Sequence, residues 1–375
     1  MNDATGAANT RDGRAAALLA HYERAGYVRA EPALLQPAEP FLDLSGEDIR
    51  RRMYLTTDAA GHELCLRPDL TIPVSCDYLA SPAAGKPMGF CYLGPVFRYR
   101  ADGPGEFAQG GIESFGRRDI AAADAEMISL GLEATSHYAI DTPDLRMGDV
   151  GLFAALINAL ELAPAWKRRL VKDFNRAGSL RHDLDRLALT AAQARPEYQG
   201  VLAALAGSDP RAAHALVTNL LSIAGITAVG GRSVGEIADR FLEQAALGAG
   251  NPDDAAADLR ALAGEAGLAL GPALDLFESR TGFMAARGVD VSRIRFSTAF
   301  GRGLDYYTGM VFELHPPTLA SPASGGGKGR GSTPGQLVAG GRYDGLLSRL
   351  GAREPIPAVG FAVWVERLAA IGGAP

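Results

Sequence analysis

The chain contains 375 residues and has a formal net charge of −6, from 43 acidic and 37 basic residues. This length indicates about two domains, and the charge argues against a nucleic-acid surface spread over the whole chain. With 47% hydrophobic and 21% charged residues, the composition excludes wholesale disorder. Three cysteines without a CxxC pair predict reduced thiols in the core. Because the sequence has no signal peptide and no apolar run of about 18 residues, we expect a soluble cytoplasmic protein.

The N-terminal part of the chain predicts a helix, two pairs of strands and a second helix. The predicted bounds are 14–26 for the first helix, 53–57 and 63–66 for a hairpin, 89–99 and 110–116 for the second pair, and 122–138 for the second helix. The polar turns DAAGH and ADGPG separate the strands of the two pairs. Asp119 stands where a side chain could cap the second helix.

Residues 153–288 differ in character from the rest of the chain. They are rich in Ala, Leu, Arg and Asp, contain few aromatic residues, and are broken by Gly and Pro into helices of ordinary length. We interpret this region as a mostly helical insertion. Its charges, such as those of Lys167, Arg168 and Arg169, are more typical of a solvated helix face than of a binding site.

Strand patterns return in the C-terminal part. The predicted strands are 294–298, 304–314, 336–341 and 358–363. Residues 316–335 form a Gly/Ser/Pro stretch that predicts a flexible loop, and Asp344 and Glu366 fall near the starts of two short closing helices. Since the strands form a first and a last cluster with helices between them, the order favours an α+β antiparallel sheet over a doubly wound fold.

Four polar clusters interrupt the apolar strand segments, whereas phosphate-loop, dinucleotide, HExxH and GxSxG motifs are absent from the sequence. The clusters are LRPDLT at 66–71, FRYR at 97–100, QGGIE at 109–113 and GRGLDYYTG at 301–309. Six histidines stand apart from one another, so we expect no metal cluster.

Gln109 and Glu113 would share one face of a strand about 13 Å apart, with Gly111 leaving room between them. The same alternation would place Tyr306 and Tyr307 on opposite faces. Taken singly, each polar residue has a simpler explanation, such as a salt bridge or a core tyrosine with a satisfied hydroxyl. Together, carboxylates for a cation, arginines for an anion and a phenol for a ring indicate a pocket for a zwitterionic amino acid.

These clusters, in this order, resemble histidyl-tRNA synthetase and its class II aminoacyl-tRNA synthetase-like relatives. The similar segments are 25–41 for motif 1, 53–71 for the following hairpin, 94–100 and 109–116 for motif 2 and its next strand, 300–313 and 339–351 for the two histidine-specific signatures, and 358–368 for motif 3. The resemblance implies one class II domain over 1–375, with the insertion inside it and a dimer interface at Pro32.

The resemblance also implies a role for each polar residue of the pocket. Asp69, Thr71 and Gln109 would hold the α-amino group of histidine. Glu113 and Tyr307 would take the two imidazole nitrogens, and Tyr306 would line the site. Arg98 and Arg302 would face the carboxylate. Asp69 replaces a glutamate of the family and reaches less far.

Three departures from the synthetase pattern concern the nucleotide and the tRNA. The chain ends at Pro375 without the anticodon-binding domain that the resemblance would lead one to expect. Arg100 replaces an acid beside the expected ATP site, in a loop that carries no further arginine. Trp364 stands where motif 3 has a glycine, and an indole buries up to about 250 Å², so it should obstruct the adenine space. Arg302 and Arg367 still match the synthetase pattern, so two residues that could bind an anion are kept.

A preserved amino-acid half beside an altered nucleotide half is similar to the regulatory subunit of ATP phosphoribosyltransferase. That family implies a non-catalytic chain in histidine biosynthesis, without cofactor or tRNA. It would associate with a short catalytic subunit in a hetero-octamer that histidine inhibits. Two alternatives stay open: a synthetase-like enzyme that activates histidine with ATP, and a scaffold that no longer binds a ligand.

Overall fold

The computed structural model describes residues 13–101, 103–159, 164–173, 250–297, 306–317 and 335–372. No helix within these ranges is long and apolar enough to cross a membrane. The chain divides into two compact units. The sheet unit comprises Met1–Met147, Ser279–Arg295 and Arg302–Pro375, and the helical unit comprises Gly148–Glu278 and Phe296–Gly301.

The described helices and strands are as follows, in chain order within each type. The helices are α1 Gly13–Arg24, α2 Glu39–Leu44, α3 Glu47–Arg50, α4 Thr71–Ala80, α5 Ile120–Ser136, α6 Val150–Ala159, α7 Pro164–Asp173, α8 Pro252–Ala266, α9 Gly271–Ala286, α10 Gly345–Arg349 and α11 Val365–Ile371. The strands are β1 Val28–Arg29, β2 Leu35–Pro37, β3 Tyr54–Thr57, β4 Glu63–Leu66, β5 Met88–Phe97, β6 Glu106–Phe115, β7 Asp144–Asp149, β8 Arg295–Phe296, β9 Met310–His315, β10 Val338–Arg342 and β11 Ala358–Trp364.

An eight-stranded sheet runs in the order β1-β5-β6-β11-β10-β9-β7-β8, and β2-β4-β3 form a second, three-stranded sheet. The pairs from β5 through β6, β11 and β10 to β9 are antiparallel, and β1 pairs with β5 in parallel. The predicted α+β class with an antiparallel central sheet is therefore confirmed, and the short strand β1 is parallel to β5 at one edge.

One face of the large sheet packs against α1 and α5. Phe361 of β11 meets the ring of Tyr22 in α1 edge to face, with centroids 6.0 Å apart. Gly131 lets α5 approach the sheet, because a Cβ there would lie 3.2 Å from the ring of Phe312. Burial of each such side chain stabilises the fold by about 1.5–3 kcal/mol. The helices thus cover this face and leave the polar residues of β6 on the other.

The first helix, the hairpin and the last two strands are confirmed, with bounds shifted by at most two residues, and the two closing helices begin next to Asp344 and Glu366 as predicted. Three other predictions need correction, and one strand was missed. Strand β6 begins at Glu106 rather than at 110, because it pairs with β5 over its whole length. Residues 306–309 are not a strand, residues 294–298 shorten to Arg295–Phe296, and the strand Asp144–Asp149 was not predicted.

Asp119 occupies the N-cap position of α5, but its side chain makes no capping hydrogen bond. Its carboxylate instead accepts from Nε of Arg117 at 3.0 Å. The charged neighbour two residues away competes with the backbone N–H groups for the same oxygens. The helical insertion at 153–288 stays a prediction, because residues 174–249 lie outside the described part, as do residues 318–334 of the predicted loop.

Candidate functional site

Strand β6 carries Gln109, Gly111 and Glu113 on the open face of the sheet, which is the face opposite α1 and α5. Gln109 pairs with Gly94 and Trp364, and Glu113 pairs with Gly360. Directly paired residues of antiparallel strands project to the same side, so all of these residues share that face. A Cβ added at Gly111 would overlap the carbonyl oxygen of Phe361 and the hydroxyl of Tyr92. The room that Gly111 leaves between Gln109 and Glu113 is therefore occupied by the Tyr92 hydroxyl and the β11 backbone.

The carboxylate of Glu113 is only 1% exposed and accepts three hydroxyl hydrogen bonds. Thr71 and Tyr92 donate to Oε1 at 2.7 Å and 3.1 Å, and Tyr343 donates to Oε2. Burial raises the pKa of Glu113 to about 7, and the three hydroxyls oppose that shift. A carboxylate oxygen has two acceptor positions, so Oε2 can still accept one N–H or O–H donor.

Gly360 provides the space around that oxygen. A Cβ at this position would overlap Oε2 of Glu113 and lie 2.5 Å from the carbonyl oxygen of Ile112. The β11 backbone at Gly360 therefore packs directly against the Glu113 carboxylate. A side chain at this position would displace Glu113 from its hydroxyl partners.

Gln109 is 2% exposed, and its Oε1 has no hydrogen-bond partner among the described residues. An unsatisfied buried acceptor costs about 1–3 kcal/mol. An ammonium or N–H donor beside this oxygen would satisfy it. Gln109 and Glu113 therefore each offer one acceptor position.

Two groups of opposite charge follow β4 and β5, the buried Asp69 and the half-buried Arg98. Asp69 precedes α4, where its Oδ1 accepts from the N–H of Ile72 at 3.2 Å, and Nε of Arg98 donates to the carbonyl oxygen of Pro68 at 2.6 Å. Burial raises the pKa of Asp69, and the charge of Arg98 opposes the shift. Burial lowers the pKa of Arg98 to about 10, which the charge of Asp69 opposes. The pair supplies one anionic and one cationic group.

Three tyrosines form an aromatic cluster next to Glu113. The ring of Tyr306 lies 5.0 Å from that of Tyr307, and the two lie 5.8 Å and 6.5 Å from the ring of Tyr343, measured between centroids. The prediction that Tyr306 and Tyr307 face opposite sides of a strand is wrong. Residues 306–309 are not a strand, so the alternation does not apply and both rings reach Tyr343.

Trp364 lies beside Gln109 on the open face and is 7% exposed. The guanidinium of Arg367 lies 5.3 Å from the centre of the indole, and its NH1 donates to the carbonyl oxygen of Gln336 at 2.7 Å. The guanidinium of Arg100 lies 3.8 Å from the ring centre of Phe107. Each of the two residues that depart from the synthetase pattern, Arg100 and Trp364, thus takes part in a contact between a guanidinium and an aromatic ring.

The sequence-predicted residues Asp69, Thr71, Arg98, Gln109, Glu113, Tyr306 and Tyr307 all belong to the sheet unit. Thr71 donates a hydrogen bond to Glu113. The charge of Asp69 contributes to the raised pKa of Glu113. Tyr306 interacts electrostatically with Arg98 and opposes the lowering of its pKa. Arg302 lies outside the described residues.

Sequence reasoning missed Tyr92 and Tyr343, which donate to Glu113. Tyr343 lies in the signature AGGRYDGL that the resemblance had singled out, so that motif was the available signal. Nothing in the alternation of β5 distinguished Tyr92 from a core tyrosine.

Among the described residues no group of three or more His, Cys, Asp or Glu side chains could hold a metal ion.

A family model described as Histidyl-tRNA synthetase matches residues 5–241 and 202–368 of the chain. An ATP phosphoribosyltransferase regulatory subunit from Brucella canis is 40% identical over 365 residues, which cover 92% of this chain and 93% of the relative. The solved ATP phosphoribosyltransferase regulatory subunit/histidyl-tRNA synthetase from Bacillus halodurans aligns with a TM-score of 0.64 at 21% identity, over 100% of this chain and 82% of that one. The Histidine–tRNA ligase subunit from Alicyclobacillus acidocaldarius aligns with a TM-score of 0.60 at 25% identity, over 99% and 95% of the two chains. These likenesses confirm the class II fold.

Proposed function

This chain belongs to the family of ATP phosphoribosyltransferase regulatory subunits, and we propose that it is a non-catalytic subunit that binds histidine for feedback inhibition. A short-form catalytic subunit would require it for activity, and the two would form a cytoplasmic hetero-octamer. Histidine, the end product, would act as the effector of the first step of histidine biosynthesis. The chain itself would perform no chemistry and need no cofactor.

The observation that carries the histidine part of the proposal is the environment of Glu113. Its buried carboxylate has one acceptor position left, next to a cluster of tyrosine rings. An imidazole offers a planar ring with an N–H at its edge, which matches that position. Gln109 and Asp69 can accept from an α-ammonium group, and Arg98 can meet an α-carboxylate.

Feedback needs histidine to bind one conformation of the complex more tightly than another. A difference of ~1–3 kcal/mol between the two conformations would suffice. The proposed pocket supplies several charge-assisted hydrogen bonds, which are worth about 1.5–3 kcal/mol each. If one of these groups moved and lost its hydrogen bond to histidine, the binding free energy would therefore change enough for feedback inhibition.

Isothermal titration calorimetry of the purified chain with histidine tests the proposal. We expect saturable binding that weakens at least tenfold in Glu113→Ala and Gln109→Ala. Glu126→Gln is the matched control, because Glu126 accepts hydrogen bonds from Tyr27 and Arg117, neither of which bonds to Glu113 or Gln109. An absence of binding heat would favour the scaffold alternative.

Reconstitution tests the regulatory part. The chain should co-purify with a short-form catalytic subunit and activate it, and histidine should inhibit the complex. Glu113→Gln should raise the histidine concentration needed for half inhibition, whereas Glu126→Gln should not. Inhibition with an unchanged midpoint in Glu113→Gln would contradict the assignment of the pocket.

The guanidinium group of Arg367, which matches the synthetase pattern, favours a second candidate, an enzyme that activates histidine with ATP. The position of Trp364 beside Gln109 and the replacement of an acid by Arg100 speak against it. Histidine-dependent exchange of pyrophosphate into ATP by the purified chain would support this second candidate over a non-catalytic role.

We also expect no tight tRNA binding, so a filter assay should show no steep dependence on salt.

A further inference from the structure

A buried ion cluster joins three distant segments of the sheet unit. Asp124 of α5 is 0% exposed, and each of its oxygens meets one arginine. Arg280 donates from Nε to Oδ2 at 2.8 Å. Arg342 donates from Nε to Oδ1 at 2.8 Å, with its NH2 at 2.6 Å from the same oxygen. Arg280 belongs to the part of α9 that lies in the sheet unit.

The cluster needs an explanation other than stability. Taking charged groups out of water opposes much of their mutual attraction, so a buried ion pair is a weak source of stability compared with apolar packing. Arg342 has a second carboxylate partner, because its NH1 donates to Oδ1 of Asp344 at 2.9 Å. The Arg342 guanidinium is therefore held by carboxylates on two sides. This geometry is suited to fixing the backbone of residue 343, which lies between Arg342 and Asp344.

Tyr343 is that intervening residue, and its backbone neighbours are clamped on both sides. Thr308 donates its N–H to the carbonyl oxygen of Arg342 at 2.9 Å, and its Oγ1 accepts from the N–H of Asp344 at 2.9 Å. The N–H of Tyr343 donates to the carbonyl oxygen of Ala358 at 2.8 Å. Arg342 pairs with Val359, on the helix-covered face, while Tyr343 reaches Glu113 on the open face.

We propose that Arg342, anchored by the buried carboxylate of Asp124, is a positioning residue that sets the Tyr343 hydroxyl on Glu113 and thereby the affinity of the pocket for histidine. The inference rests on the proposed function. Arg342 does not touch the ligand in this account. It acts through Tyr343, and Thr308 carries the same constraint to the neighbouring Tyr307.

A double-mutant cycle on the full chain tests this, with histidine affinity measured by calorimetry and the melting temperature measured in parallel. Arg342→Lys keeps the charge and loses the fork that bridges Asp124 and Asp344. We expect this variant and Tyr343→Phe each to weaken histidine binding about tenfold. The double variant should be no more than about twofold weaker than Tyr343→Phe, because both changes remove the same contact.

Arg117→Lys is the matched control. Arg117 also forks between two carboxylates, those of Asp119 and Glu126, but neither of these carboxylates accepts a hydrogen bond from Arg342 or Tyr343 among the described residues. Its histidine affinity should stay within twofold of the wild type even if its melting temperature falls. Asp344→Asn is a milder second variant, which keeps the Asp124 pair, should Arg342→Lys fail to fold, and it should weaken histidine binding about threefold.

The outcomes separate this inference from the proposed function. An affinity within twofold of the wild type in Arg342→Lys, or in Asp344→Asn where the first variant does not fold, would overturn the positioning role. So would additive losses in the double variant. An absence of histidine binding by the wild-type chain would overturn the proposed function and this inference with it.

Discussion

At the scale of single residues, the ionisation of Glu113 links the pocket to pH. Burial raises its pKa from 4.5 to about 7. Between these values the folded chain holds a proton on Glu113 that the unfolded chain has released, so unfolding releases a proton. The contribution of this group to stability is therefore fully present below about pH 4.5 and is lost as the pH rises through about 7.

Glu113→Gln should remove this pH dependence, because the amide does not ionise. We expect the free energy of unfolding of the wild type to fall relative to that of the variant by about 3 kcal/mol between pH 4.5 and pH 8. Urea denaturation at the two pH values measures the difference. Parallel pH profiles for the two proteins would show that Glu113 does not titrate in this range.

Glu126→Gln provides a control of opposite sign. Burial opposes the shift, but hydrogen bonds from Tyr27 and Arg117 bring the pKa of Glu126 below its ordinary value. A depressed pKa contributes stability that is present at neutral pH and is lost as the pH falls through the folded value. The wild type should therefore lose stability relative to this variant on the acid side.

Gly360 is the residue whose substitution should act most directly on the pocket. In Gly360→Ala the new methyl group would overlap Oε2 of Glu113. Overpacking of this kind costs typically about 1–3 kcal/mol, and histidine affinity should fall at least tenfold. Thermal melting and calorimetry measure the two effects.

Gly282→Ala is the matched control for that substitution. Gly282 lies inside α9, and a Cβ there would meet no atom within 4 Å. Alanine is a better helix former than glycine by roughly 0.5–1 kcal/mol, so this variant should gain stability and keep its histidine affinity. Equal losses in both variants would rule out a specific role for the space above Glu113.

At the scale of elements, α8 and α5 show two outcomes for an Asn or Asp residue at the N-cap position. Asn251 caps α8, since its Oδ1 accepts from the N–H of Asp254 at 3.0 Å and Pro252 follows at the first helical position. At the start of α5, Asp119 is turned toward Arg117 instead. A residue type that favours an N-cap therefore caps only where no stronger partner is near.

Asn251→Ala should destabilise α8 by about 1 kcal/mol, the usual effect of losing an N-cap hydrogen bond. Hydrogen exchange across Pro252–Ala266 measures it, as faster exchange in the first turn. Asp119→Ala should change α5 less, because an exposed ion pair contributes only about 0–1 kcal/mol. Equal protection losses in the two helices would contradict the assignment of the caps.

At the scale of the whole molecule, an apolar surface is exposed on the three-stranded sheet. Leu35 of β2 and Tyr54 of β3 are 50% and 38% exposed. Both pair with Leu66 of β4, so they share one face. Leu35 lies within the segment that resembles motif 1, where the resemblance implies a dimer interface, and Tyr54 lies in the following hairpin. We propose that the chain forms a dimer through this surface.

Leu35→Glu should weaken the proposed dimer at least tenfold, because burying a leucine is worth about 1.5–3 kcal/mol and burying an unpaired carboxylate is unfavourable. Light scattering over a dilution series measures the dissociation. Ile371→Glu is the control, since Ile371 is comparably exposed at 44% on α11. A wild-type chain that is monomeric throughout the series would contradict the interface.

The sequence by itself determined the α+β class, most elements and the shared face of Gln109 and Glu113. Those features depend on local patterns: apolar periodicity, turn residues and the two-residue repeat of a strand. The four polar clusters and their order were also sufficient to suggest the family and an amino-acid pocket.

Only the tertiary structure decided what surrounds Glu113 and what holds it. Tyr343 is 230 positions away from Glu113 in the chain, and Arg342 is 218 positions away from Asp124. No local pattern encodes such a contact, because it depends on β11 lying between β6 and β10. The irregular backbone at 306–309 likewise follows from packing against Tyr343 and Arg342, and it brings together two tyrosines that strand alternation would have separated.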